Sequence, residues 1–160
     1  MKAIFLFVAL AFSMATSAQV TKVSLQASGL TCSMCSNSIN KALKTLDFVD
    51  KIDTDIKTYT FEISFKLNSN VDFDKIKKKV ENAGFTVSAF VATMYFNDVH
   101  VKDGEPVTIG DKTFHFLNVK DELFNGIKQV KLLDKGFISS KEYKVNSLFN
   151  SSPGIYHVSI

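Results

Sequence analysis

The strongest constraint on this chain is a hydrophobic period that changes twice between residues 21 and 96. Val23, Leu25 and Ala27 alternate with Lys22, Ser24 and Gln26, the period of a strand with one buried face. Gly29 ends that run. From Cys35 the apolar residues Ile39, Ala42, Leu43 and Leu46 recur at helical spacing, which predicts a helix from Cys35 to Leu46. Phe48 to Ile56 reads as a second, less regular strand. Tyr59, Phe61, Ile63, Phe65 and Leu67 then alternate with Thr60, Glu62, Ser64 and Lys66 to give the clearest strand in the chain. Asn68-Ser69-Asn70 forms a turn, and Asp72 is placed to cap a second helix. That helix carries the apolar stripe Phe73, Ile76, Val80 and Ala83, with Gly84 at its end. Thr86 onward returns to a strand that runs to Phe96.

The order strand-helix-strand-strand-helix-strand is the split βαβ, or ferredoxin-like, arrangement of an α+β domain. Both cysteines of the chain lie in its first loop, Gly29-Leu30-Thr31-Cys32-Ser33-Met34-Cys35. Cys32 falls in the loop and Cys35 in the first helical turn, so the two sulfurs can converge. Free backbone N–H groups and the helix dipole favour thiolate there. A thiolate pair selects soft ions such as Cu(I), Zn(II) or Hg(II). The same spacing suits a disulfide or a redox dithiol. Cys32 and Cys35 are therefore the candidate site residues, and spacing alone leaves these chemistries open.

The first 18 residues read as a secretory signal peptide. Met1-Lys2 is a short positive region, Ala3 to Met14 is nearly all apolar, and Ala15-Thr16-Ser17-Ala18 supplies small residues before Gln19. The apolar run is shorter than the about 20 residues a bilayer span needs. The expectation is an exported protein, periplasmic or secreted, with no membrane span in its mature chain. Apolar residues at 46% against 22% charged exclude a disordered chain. The formal charge is +3, and removing Lys2 with the signal leaves 18 lysines against 16 acids. That balance offers no support for nucleic-acid binding. All the basic charge is lysine, so bidentate arginine recognition of phosphate is absent.

With Ala83-Gly84-Phe85 after the second helix, the cysteine loop and element order resemble the heavy-metal-associated domain found in copper chaperones, metal-transporting ATPases and periplasmic mercury-binding proteins. The resemblance covers Thr21 to Val91. It implies a non-enzymatic protein that holds an ion on Cys32 and Cys35. Its partner would be a metal-transporting membrane protein or another metalloprotein, reached by ligand exchange. Cu(I), content with near-linear coordination, is the expected ion, with Zn(II) and Hg(II) as alternatives. Leu30 replaces a frequent methionine, Met34 stands where small residues are common, and Asp47-Phe48-Val49 lacks a frequent glycine. Phe85 matches a position that packs near the metal loop. Lys75, Lys77, Lys78 and Lys79 read as a solvated basic face of the second helix.

The competing readings are a thiol–disulfide redox protein and an interaction or sensor protein working through its C-terminal part. A thioredoxin-type enzyme needs a cis-proline opposite its motif, and Pro106 and Pro153 both lie far downstream. Residues 97–160 carry a turn signal about every ten residues, which reads as a small all-β domain. The expected form is a barrel or sandwich of five or six strands, an OB-like barrel being one version. Strands read within it include Thr113–Val119, Lys128–Leu133, Lys141–Val145 and Ile155–Ile160, with a helical turn at Asp121–Phe124. The expected division is thus signal peptide 1–18, heavy-metal-associated domain 19–96 and β-rich domain 97–160. His100, His115 and His157 all fall in the last part. His115 and His157 alternate with aromatic neighbours, placing them opposite the aromatic face; a second metal site is one reading, but without a spaced motif all three read as scattered surface or edge-strand histidines.

Overall fold

The computed structural model describes residues 19–145 and 152–160; the expected signal peptide, 1–18, lies outside the described residues. The order is β1 (Gln19–Ser28), α1 (Ser33–Leu43), β2 (Val49–Asp55), β3 (Thr60–Phe65), α2 (Phe73–Asn82), β4 (Thr86–Val101), β5 (Pro106–Ile109), β6 (Lys112–Phe116), β7 (Glu122–Leu132), α3 (Ser140–Val145) and β8 (Ile155–Ser159). The first six elements follow the βαββαβ order. Asp72 caps α2 as its sequence predicts, its carboxylate accepting the Lys75 N–H at 2.9 Å.

All eight strands among the described residues belong to one sheet of order β2-β3-β1-β4-β7-β8-β6-β5. Every described pairing between strands is antiparallel except β6–β8. The expected separate barrel or sandwich is therefore corrected: the C-terminal strands extend the first sheet through the far edge of β4. The division expected at 96/97 falls inside β4 itself. The physical reason lies in the length of β4, whose 16 residues pair with β1 on one side and β7 on the other. An uncovered strand of that length would expose a row of unpaired N–H and C=O groups.

β4 keeps its apolar residues on the buried face through an extra residue. Phe90, Ala92, Met94 and Phe96 are buried, and then the parity switches to Val99 and Val101. The register jumps from Phe96↔Gly126 to Val99↔Phe124, with Asp98 at φ +50. That is a β-bulge, and it re-aims the strand without breaking it.

The two halves share one aromatic core. Phe73 of α2 lies 5.2 Å from Phe90 of β4 and 5.3 Å from Tyr156 of β8, between ring centres. Phe137, from the β7–α3 connection, closes the group against Phe90 at 5.1 Å and Tyr156 at 5.7 Å. The Tyr156 hydroxyl donates to Asp74 Oδ2 at 2.8 Å, and burial pushes its pKa well above the usual tyrosine range. The lysine run on α2 is only partly a solvated face. Lys77 bonds Asp74 at 2.9 Å, and its ammonium lies 4.5 Å from the centre of the Phe137 ring.

Two local expectations fail. Lys141–Val145 is not a strand but most of α3, begun by a capping-box sequence, Ser139-Ser140-Lys141-Glu142, with the Glu142 N–H donating to Ser139 Oγ at 3.2 Å. Asp121–Phe124 is no helical turn: Glu122 onward belongs to β7.

Candidate metal centre

The cysteine loop is built by the end of β1 and the start of α1. Gly29 turns the chain at φ +88, a conformation that glycine adopts without steric cost. A Cβ there would lie 3.9 Å from the Phe85 ring, so Phe85 packs over the first residue of the loop. Leu30, only 7% exposed, anchors the loop in the core.

Cys32 is the N-cap of α1, at φ −154 and ψ 162, a place where an oxygen-bearing side chain usually accepts a helix N–H. Cys35 stands three residues on, and its N–H donates to the Cys32 carbonyl at 3.1 Å. Both thiols are free and their sulfurs lie 2.8 Å apart. Cys32 is exposed, whereas Cys35 is half-buried and packs against the core. The Cys35 thiol is held below its ordinary range, first by the hydrogen bond from Cys32 and then by the Thr31 backbone. No acidic residue lies in the first turn of α1 to oppose thiolate charge. The site therefore presents one exposed and one half-buried sulfur to a soft ion, the half-buried Cys35 thiol being the one biased toward thiolate.

Other expected residues fall as follows. Met34 is 79% exposed. His115 and His157 are not scattered: they sit side by side on the parallel strands β6 and β8, rings stacked with centres 5.2 Å apart and planes 22° apart. His100 lies elsewhere, its Nε2 2.7 Å from Asp121. No group of three or more metal-ligating side chains is found among the described residues. Sequence reasoning missed Ser36, the next residue after Cys35. It is 2% exposed, and its hydroxyl has no hydrogen-bond partner among the described residues.

The sequence signature of the heavy-metal-associated domain matches residues 24–86. The periplasmic component of a mercuric transport protein from Pseudomonas fluorescens is 32% identical over 66 residues, which are 41% of this chain and 71% of that protein. A copper-transporting ATPase from Saccharomyces cerevisiae is 36% identical over 64 residues, 40% of this chain. The chain spans only 6–8% of the length of the copper ATPases it matches. Among solved structures, a yeast copper transporter domain determined in apo and Cu(I)-loaded states is 33% identical and covers 42% of this chain and 90% of its own, with a TM-score of 0.37. The match ends at the first residue of β4, so the second half of the sheet lies beyond it. Through residues 24–86, this chain belongs to the heavy-metal-associated domain family.

Proposed function

We propose that this protein is an exported carrier of a soft metal ion, Cu(I) first, held by Cys32 and Cys35 and surrendered by ligand exchange. The receiving partner would be a metal-transporting membrane protein or another metalloprotein with its own thiols. The observation that carries this reading is the pair of free sulfurs converging at 2.8 Å on the N-terminus of α1. With metal–sulfur bonds of about 2.3 Å, the two sulfurs must stand about 3.8 Å apart for tetrahedral and about 4.6 Å for linear binding. Rotation of the exposed Cys32 side chain opens that gap while Cys35 stays seated against the core. A two-thiolate site suits Cu(I), since structural Zn(II) takes four protein ligands. Exposure of Cys32 leaves room for an incoming thiolate, which is what exchange requires.

Anaerobic titration of the reduced protein with Cu(I), Zn(II) and Hg(II), read by native mass spectrometry, tests the reading. It expects one Cu(I) per chain and none in the Cys32→Ser/Cys35→Ser variant. Equal Cu(I) binding by that variant would sink it. Export rests on the N-terminal sequence. Expression in a bacterium should give a chain that begins at Gln19 outside the cytosol, and an intact Met1 there would oppose it. The role is one of binding rather than catalysis: an insulin-reduction assay should show no turnover.

A further inference from the structure

We propose that the C-terminal half builds a binding site for a small organic monocarboxylate with an apolar body, in a cavity next to the cysteine loop. The cavity holds about 460 Å³ and lies between two parts of the chain. One wall comes from residues inside the family match: Ser28 of β1, Glu81 of α2 and Thr86 of β4. The other comes from residues between Lys135 and Lys144, in the β7–α3 connection and α3, which lie beyond the match. Most of the site is therefore this chain's own addition to the family fold.

Local structure fixes both walls. Ser28 and Thr86 pair in register on β1 and β4, one residue before Gly29 and one after Phe85, and their hydroxyls lie 2.7 Å apart. The facing wall is brought in by Gly136, at φ +86. A Cβ there would stand 3.0 Å from Lys77 Cδ and 3.6 Å from Glu81 Oε1, so glycine lets the connection run directly against α2. Phe137, the next residue, is locked into the aromatic core against Phe90 and Tyr156. Ser139 accepts the Glu142 N–H and so seats the first turn of α3.

The lining selects the ligand. Small-molecule sites run from about 300 to 1,000 Å³ and are mainly apolar, with a few polar groups that fix orientation. Val87, Ile138 and Tyr143 give the cavity its apolar side. Lys135 and Lys144 line it against a single carboxylate, Glu81, which leaves one positive charge uncompensated. All 16 acidic side chains of the chain lie among the described residues, and none of them forms an ion pair with either lysine. A monoanion restores neutrality, whereas a dianion would overcharge the cavity. In the Ser28–Thr86 pair one hydroxyl donates to the other, and the accepting one keeps its own O–H to give to a carboxylate. An inorganic anion would leave the apolar side bare.

The test uses the chain from Gln19 to Ile160, metal-free and isotope-labelled, with 3-phenylpropionate as the probe and 3-phenylpropanamide as its neutral isostere. The acid should bind saturably and shift the amide resonances of Ser28, Thr86 and Ile138. The amide should bind about tenfold more weakly, because it cannot make charge-assisted hydrogen bonds. Lys135→Gln and Lys144→Gln should each weaken binding about two- to fivefold. Lys78→Gln, an exposed position of α2 that does not line the cavity, should leave binding unchanged. Ser140→Tyr fills the cavity from an exposed position and should abolish binding with Tm unchanged; if that variant does not fold, the two lysine variants decide. Equal binding of acid and amide, no saturable binding, shifts confined to other residues, or full affinity in both lysine variants would overturn the proposal. All outcomes are read without metal, so none bears on Cu(I) at Cys32 and Cys35.

Discussion

Phe137→Ala tests whether the chain unfolds as one body. Phe137 is 1% exposed and touches elements from both halves at once: Phe90 of β4, Tyr156 of β8 and, through its face, Lys77 of α2. Removing a buried phenyl ring costs about 3–5 kcal/mol from lost transfer and the cavity left behind. Loss of the Lys77 contact adds about 0.5–1 kcal/mol. The expected total, about 3.5–6 kcal/mol, is a large share of the about 5–15 kcal/mol that holds a domain folded. For a chain of this size it lowers Tm by about 12–20 °C. Native-state hydrogen exchange gives the discriminating readout. If the sheet is one cooperative unit, the slowest amides of β1 and β3 lose the same protection free energy as those of β6 and β8. Unchanged protection in β1 and β3, with loss confined to β6–β8, would refute the single shared core.

Tyr156→Phe removes the hydroxyl that donates to Asp74 and should cost about 1–1.5 kcal/mol in chemical denaturation, since Asp74 keeps its bond from Lys77. Ser36→Ala should be neutral or raise stability by about 1 kcal/mol, because the buried hydroxyl gains no hydrogen bond in the folded state; a loss of more than that would reveal a partner. The Cys35 thiol loses its proton at lower pH than an ordinary thiol, so the midpoint of its alkylation-rate pH profile should lie below that of an unperturbed cysteine. In Cys32→Ala the largest cause is gone, and the midpoint of that pH profile should move upward, read by peptide mass mapping; an unmoved midpoint would place the cause elsewhere.

The first half was legible because its signals are local. Alternation at Tyr59–Leu67, the Asp72 cap and the Phe73-Ile76-Val80 stripe each declare an element without help from distant residues. The cysteine loop was legible for the same reason, its two sulfurs being set three residues apart. What failed was non-local. Nothing near Phe96 says that β4 will take β7 on its far edge, since the partner Ile127–Lys131 lies about thirty residues on. The adjacency of His115 and His157 depends on a parallel pairing across 42 positions. The error at α3 was of another kind. Ser139-Ser140-Lys141-Glu142 spells a helix start, a signal as local as the turns and strands around it.

The placement of β4 has a consequence for how this protein meets others. Its 16 residues of hydrogen-bonding backbone, left on a rim, would be a template for fibril growth or unintended strand exchange. Buried in mid-sheet, it is withdrawn from that traffic. The rims that remain are poor templates. β2 carries exposed Asp50, Lys51, Asp53 and Asp55, and β5 is four residues long and starts with proline. Strand-to-strand pairing at the sheet edges is thereby disfavoured, while Cys32 stays exposed at the start of α1, where access does not compete with the sheet.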